Sequence, residues 1–244
     1  MRDRPPEEED YPDPVEALPL AAREKRRVDL LKRWRRRFLG LTRLWAKGPW
    51  VEVEGLPSVT FADGRTLQVG GTTVRFTHPL FHGGEYASPG WVLAIVVEHG
   101  GTKLLYSSDL QGPAIEDYAA WIIEEQPDVL ILDGPTTYLL GPFQSRANLD
   151  RAIHNCTRVV QSLRARLVVL DHHLVRERNF REKTREAFQA GAVTAAELLG
   201  KRPLTDRVAT AKEQGTLDEL LSQADAGELD RDLVPGREFD LDDL

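Results

Sequence analysis

Cysteine and aromatic residues are scarce in this 244-residue sequence, and it contains no long apolar run. The single cysteine, Cys156, excludes an internal disulfide and a cysteine-rich zinc site, and we interpret it as a core residue on a helix. No apolar run approaches the roughly 20 residues that span a bilayer. The acidic, proline-containing start lacks the apolar region of a signal peptide. These absences predict a soluble, cytoplasmic protein without a membrane span.

Three common catalytic signatures are also missing. No G-x-G-x-x-G follows a predicted strand, which argues against a Rossmann dinucleotide site. No G-x-x-x-x-G-K-[ST] phosphate loop and no G-x-S-x-G serine elbow is found. Nucleotide-binding enzymes and serine hydrolases of these types are therefore disfavoured.

The formal net charge of −7 is distributed unevenly along the chain. Residues 23–37 are strongly basic, whereas residues 216–244 are strongly acidic. An apolar stripe with helical spacing crosses the basic segment and predicts an amphipathic helix over residues 19–39, ended by Gly40. Its stripe consists of Val28, Leu31, Trp34 and Phe38. A docked, solvated helix is one interpretation, and a nucleic-acid-binding helix that uses Arg33, Arg35, Arg36 and Arg37 is the other.

Strands dominate the middle of the sequence and helices alternate with strands after it. Asp63-Gly64 and Gly70-Gly71 are tight-turn signals between short β-prone runs. The strands are predicted over residues 59–62, 66–69, 72–77, 91–97, 103–106, 128–132 and 167–170. Helices are predicted from Pro113 to Pro127 and over 148–163 and 179–190, followed by one that ends at Leu199.

A β-meander followed by alternating strands and helices predicts an α/β fold, a layered sheet with covering helices. The sequence divides into three predicted parts. Residues 1–49 form a disordered start plus the basic helix, residues 50–203 form the α/β domain, and residues 204–244 form an acidic appendage.

Metal-competent side chains follow three of the predicted strands directly. They are His82, Asp109 and the run Asp171-His172-His173. Strand ends and the loops after them are common positions for binding chemistry. Imidazole and carboxylate groups are ligands of zinc, manganese and iron. The pattern predicts one metal site at an edge of the sheet, whereas His99 and His154 are interpreted as a loop residue and a structural residue.

The order of these strand ends resembles the second half of metallo-β-lactamase-fold hydrolases, an αββα sandwich, and most closely an uncharacterised prokaryotic branch of that superfamily. The resemblance covers roughly residues 55–200. It is carried by Phe81-His82-Gly83, Ser107-Ser-Asp109-Leu-Gln-Gly-Pro113, Asp133-Gly-Pro-Thr-Thr-Tyr-Leu-Leu-Gly141, Val169-Leu-Asp-His-His-Leu174 and Arg181-Glu-Lys183.

The resemblance implies roles for individual residues. His82 would be a metal ligand, Asp109 a catalytic carboxylate that bridges two metals, and His172, with His173 in reserve, the last ligand. Zinc, or manganese or iron, would activate water for phosphoester or acyl hydrolysis. Residues with supporting roles would be Asp133 or Asp171 as partners of a ligand histidine, and Thr136, Thr137 and Tyr138 in the substrate cleft.

The superfamily's main ligand signature, His-x-His-x-Asp-His, is missing, because no histidine precedes His78. Three interpretations follow: a hydrolase whose other half lies elsewhere, a non-catalytic scaffold or regulatory relative, and an unrelated α/β binding domain. A half-fold would expose an apolar sheet face made of Val92, Ala94, Val96 and Leu105. That face would pair in a homodimer, bind a complementary subunit or be covered by the helix around Leu31 and Trp34.

Overall fold

The computed structural model describes residues 24–47, 54, 59–85, 87, 89–141, 144–227 and 229. Predictions for residues 1–23 and 230–244 lie outside this part. The helices are α1 Glu24–Trp45, α2 Glu116–Glu125, α3 Arg146–Ser162, α4 Phe180–Lys183, α5 Arg185–Gln189, α6 Ala195–Leu198, α7 Leu204–Gln214 and α8 Leu217–Asp225. The strands are β1 Thr66–Val69, β2 Thr72–Phe76, β3 Leu80–Phe81, β4 Trp91–Val92, β5 Ile95–His99, β6 Thr102–Tyr106, β7 Val129–Asp133 and β8 Leu167–Asp171.

A six-stranded mixed sheet forms the centre of the fold, in the order β1-β2-β5-β6-β7-β8. Neighbouring strands among β1, β2, β5 and β6 pair antiparallel. Neighbouring strands among β6, β7 and β8 pair parallel. Gly70 and Gly100 adopt positive φ at the two hairpin turns, which glycine tolerates without steric cost. The α/β layered sheet predicted from the sequence is confirmed.

Several predicted elements differ from the structure. The helix predicted over residues 179–190 is two helices, α4 and α5, on either side of Thr184. Residues 59–62 form no strand, although their side chains are β-prone. The apolar run 91–97 is two strands, because the chain leaves the small β3–β4 sheet after Val92 and joins the large sheet at Ile95. Gly40 does not end α1, which continues to Trp45. A single glycine lowers helix stability by roughly 1 kcal/mol, which packing elsewhere along a helix can offset.

One face of the sheet is covered by α2 and α3. Val96, Leu105, Leu130 and Val168 are register neighbours across four strands and are buried in one core with Tyr118, Ile122, Cys156 and Val159. The expectation that Ala94, Val96 and Leu105 are exposed is therefore wrong, and Val92 is half-buried. Side chains alternate along a strand, so Val97, Leu104 and Ile131 lie on the opposite face, where they are half-buried. Their register neighbours Val129 and Val169 are buried.

Helix α1 packs on the small β3–β4 sheet. Trp34 is buried and meets the ring of Trp91 edge to face, with the ring centroids 5.2 Å apart. The ring of Phe38 makes a similar contact with Trp91 at 5.3 Å. Leu31 packs against the main core. Leu31, Trp34 and Phe38 of the predicted apolar stripe thus form the docked face of the helix, whereas Val28 is exposed. Arg33, Arg35, Arg36 and Arg37 are also exposed.

No helix in the described part of the chain combines the length and apolar character needed to cross a membrane. Residues 204–225 form the helix pair α7 and α8. The division of the chain at residues 49 and 203 stays a prediction.

We expect Trp34→Ala to lower the free energy of unfolding by about 3 kcal/mol or more, because it removes the ring that anchors α1 on Trp91. Leu44→Ala is the matched control, since Leu44 lies on the same helix with 62% of its surface exposed. Chemical denaturation of both variants measures the difference. Equal stabilities would show that the aromatic contact does not anchor the helix.

Candidate functional site

Four strands end at the same edge of the sheet. Strands β2, β6, β7 and β8 run in one direction, because β5 lies antiparallel between β2 and β6. After β2 the chain continues to β3 and His82, and after β6 it continues to Asp109. Asp133 is the last residue of β7, and His172 and His173 follow β8. The sheet therefore gathers residues that are far apart in sequence.

Asp109 lies between histidines of two different loops. Its Oδ1 atom is 3.1 Å from Nε2 of His172, and its Oδ2 atom is 3.9 Å from Nε2 of His82. Ligand-type atoms of Asp109, His172 and His173 all lie within 4.8 Å of one another. These three side chains could hold one metal ion. The second carboxylate oxygen is directed toward a fourth candidate ligand.

A left-handed backbone at His172 brings two consecutive histidines to one place. Its φ of +61° is rare for a residue with a side chain and costs about 1–2 kcal/mol. Consecutive residues of an extended strand would point to opposite faces of the sheet. Here the His172 and His173 rings meet edge to face with their centroids 4.4 Å apart. Asp171 stabilises this turn by accepting hydrogen bonds from the amides of His172 and Ala195.

The buried carboxylate of Asp133 orients His173. Nδ1 of His173 lies 3.0 and 2.9 Å from the two carboxylate oxygens, and the His173 amide donates to Oδ1. An ionised carboxylate can only accept, so Nδ1 carries a proton, and in the neutral imidazole Nε2 then keeps its lone pair. Oδ2 also accepts from the amide of Gln111 at 2.6 Å. One carboxylate thus joins the loops that follow β6, β7 and β8.

His82 is held by Gln111, whose side-chain Nε2 lies 3.0 Å from the imidazole Nε2. Gly83 permits this approach, because a Cβ atom there would lie 2.6 Å from Oε1 of Gln111. Burial lowers the pKa of His82 below its ordinary value, although the nearby Asp109 carboxylate opposes the shift. The neutral imidazole, which is the form that binds metals, is thereby favoured.

Arg176 and Tyr138 lie at the exposed rim of the site. The Arg176 guanidinium donates to the Tyr138 hydroxyl at 3.2 Å and lies 3.2 Å from Nε2 of His172. Thr136 is buried and donates to Gln144, and Thr137 is buried with an unpartnered hydroxyl. Among the three predicted cleft residues, Tyr138 is the one that reaches the surface.

The structure brings the predicted residues His82, Asp109, Asp133, His172 and His173 to one site. Asp171 supports the turn at His172 through backbone contacts and not through an imidazole. Sequence reasoning assigned no role to Gln111 or Arg176. Gln111 lies inside the Ser107–Pro113 motif, so its position was visible, whereas nothing in the local pattern marks Arg176.

Curated proteins similar in sequence to this chain are UPF0282 proteins. That of Korarchaeum cryptofilum is 32% identical over 156 residues, which cover 64% of this chain and 51% of that protein. That of Methanopyrus kandleri is 37% identical over 155 residues, which cover 61% of this chain and 52% of that protein. The chain spans about half the length of the curated relatives it matches.

Among solved structures, the chain is similar to the metallo-beta-lactamase fold protein YhfI from Bacillus subtilis, with a TM-score of 0.36 and 17% sequence identity. The overlap covers 57% of this chain and 52% of that chain. No family model matches the chain.

We expect Asp133→Asn to lower the free energy of unfolding by about 1–3 kcal/mol, because an amide nitrogen would then face one of the three donors. Nitrogen-detected NMR of the His173 ring should show a proton on Nδ1 in the wild type and an altered signal in the variant. The control is Asp150→Asn on the exposed face of α3, which should change neither quantity. A His173 ring protonated on Nε2 alone would contradict the assigned tautomer.

Proposed function

We propose that this chain is a metal-dependent hydrolase-like protein that binds a divalent ion through Asp109, His172 and His173. The observation that carries the proposal is the close approach of these three ligand atoms at one edge of the sheet. Catalytic zinc sites use three protein ligands and leave the fourth position to water or substrate. Two histidines and one carboxylate are a ligand set that binds zinc, and manganese and iron are the alternatives.

The surroundings of the three side chains fit a metal better than they fit a structural ion-pair cluster. The Asp133 carboxylate holds His173 with the Nε2 lone pair directed away from Nδ1, as a carboxylate behind a ligand histidine does. Such partners typically contribute 10- to 100-fold to metal affinity. Asp109 directs its two oxygens toward different imidazoles, which suits a carboxylate that joins two ion positions.

A bound divalent ion would supply Lewis acidity, which lowers the pKa of water toward neutrality and polarises the bond to be cleaved. In the reaction, the water oxygen bonds to the phosphorus or acyl carbon, the bond to the leaving oxygen breaks, and the water proton ends on the leaving alcohol. His82 can accept that proton, because its lowered pKa keeps the imidazole neutral beside the carboxylate of Asp109. Asp109 lies between His82 and His172, so it positions His82 to accept the proton and His172 to bind the ion.

A scaffold or regulatory role is the alternative within the same fold, and it would use the site for a structural ion without turnover. A nucleic-acid-binding role rests on the exposed arginines of α1. The net charge of −7 opposes it, since the chain as a whole repels phosphate backbones. Pairing with a second copy or a complementary subunit also stays a prediction.

The wild-type protein should bind zinc or manganese, and Asp109→Asn or His173→Ala should weaken binding by about 100-fold or more, because each removes a ligand atom. Isothermal titration and elemental analysis measure affinity and stoichiometry. His154→Ala is the matched control, since His154 is exposed on α3.

The number of metal ions bound per chain shows whether His82 is a metal ligand or a proton acceptor. Two ions per chain, reduced to one in His82→Ala, would make His82 a ligand of a second ion. One ion in both proteins would leave His82 as the proton acceptor. A wild type that binds neither metal would refute the proposal.

The metal-loaded protein should hydrolyse an activated phosphate ester or an activated acyl ester, because three ligands leave a coordination position open. Release of p-nitrophenol from p-nitrophenyl phosphate, bis(p-nitrophenyl) phosphate and p-nitrophenyl acetate measures turnover. We expect Asp109→Asn to reduce turnover to the level of chelator-treated protein. A fully loaded protein without turnover on any of the three would favour the scaffold role.

A further inference from the structure

Arg176 differs from the other cations around the site, because its side-chain contacts in the described part of the chain include no carboxylate. Arg178 contacts Glu213, Arg181 contacts Glu197 at 2.6 Å, and Lys183 contacts Glu177 at 2.5 Å, so each of these cations is paired with a carboxylate. The Arg176 guanidinium instead lies against the phenol of Tyr138 and the imidazole of His172. Its positive charge is therefore held at an exposed rim by groups that do not neutralise it.

The contact of Arg176 with His172 also competes with the contact of Asp109. Nε2 of His172 is 3.2 Å from Nη2 of Arg176 and 3.1 Å from Oδ1 of Asp109. One imidazole nitrogen cannot accept from the guanidinium and donate to the carboxylate at the same time. If Nε2 binds an ion, the guanidinium and the ion become neighbours of like charge. An anion that contacts both removes this repulsion.

We propose that Arg176 and Tyr138 bind the non-bridging oxygens of a phosphoryl group, so that the substrates of this site are phosphate esters and not acyl compounds. This inference rests on the proposed metal function. The Tyr138 oxygen accepts from Nη1 of Arg176, which leaves its own hydrogen free to donate. The guanidinium, the phenol and the ion would offer three separate positions to oxygens. The phosphoryl group of a monoester supplies three such oxygens and that of a diester supplies two, whereas a reacting carbonyl supplies one.

Lys183 links the loop that carries Tyr138 to the loop that carries Arg176. Nζ of Lys183 donates to the carbonyl of Thr137, next to Tyr138, at 3.2 Å. The same ammonium pairs with Glu177, next to Arg176. Lys183 is thus a positioning residue that fixes the spacing of Tyr138 and Arg176. It lies in the Arg181-Glu-Lys183 motif, to which the metal site itself assigns no task.

The test titrates inorganic phosphate, as the probe, into the full chain loaded with manganese. Isothermal titration calorimetry measures the binding. Arg176→Ala should weaken phosphate binding roughly 10- to 100-fold, because it removes a charged donor. Tyr138→Phe should weaken it about fivefold, because it removes a neutral donor. Arg178→Ala is the matched control, since that arginine pairs with Glu213, and it should bind phosphate as the wild type does. Acetate should bind the wild type at least tenfold more weakly than phosphate.

Metal stoichiometry separates the two proposals. Unchanged manganese binding in Arg176→Ala, together with the loss of phosphate affinity, supports the inference. Unchanged manganese binding with wild-type phosphate affinity in Arg176→Ala overturns it and leaves the metal site intact. Acetate affinity equal to that of phosphate also overturns the choice of a phosphoryl group. A wild type that takes up no manganese or zinc refutes both proposals together.

Discussion

The buried carboxylate of Asp133 is the interaction on which the candidate site depends. It accepts hydrogen bonds from the Gln111 amide, the His173 amide and the His173 ring, and is itself only 4% exposed. A buried charge of this kind is tolerated only where several donors surround it. The loops that follow three parallel strands are therefore fixed relative to one another by one side chain. The position of His173 beside Asp109 follows from this constraint.

The sequence predicted the layered sheet and most of its strands, but it misplaced some strand and helix boundaries. The Gly70-Gly71 dipeptide located the β1–β2 hairpin, whereas residues 59–62, which precede Asp63-Gly64, form no strand. Helical spacing located the helices that cover the core. The apolar run 91–97 was misread, because an uninterrupted apolar pattern carries no mark of the point where a strand changes sheet. The face made of Ala94, Val96 and Leu105 was expected to need a second chain or the first helix as its cover. A comparison with a longer fold does not reveal that α2 and α3 cover these residues.

Candidate site residues were predictable where they lie within three residues of a strand end, as Asp109 and His172 do. The rest depends on backbone geometry that composition does not encode. Ser108, Gln111 and His172 all adopt positive φ near the site, and each turns a side chain in a direction that a regular strand would not give. Gln111 reaches His82, and His172 joins His173, through these turns. The role of Arg176 depends in addition on the short 3-10 turn between His173 and Glu177.

The edge-to-face packing of Trp34 and Phe38 on Trp91 has an optical consequence. Coupled indole transitions in a fixed, asymmetric arrangement give circular dichroism in the near ultraviolet, and a freely rotating ring gives almost none. Near-ultraviolet circular dichroism of these rings therefore reports, without any added label, whether α1 is packed on the strand that carries Trp91. That strand lies next to the segment that leads to His82.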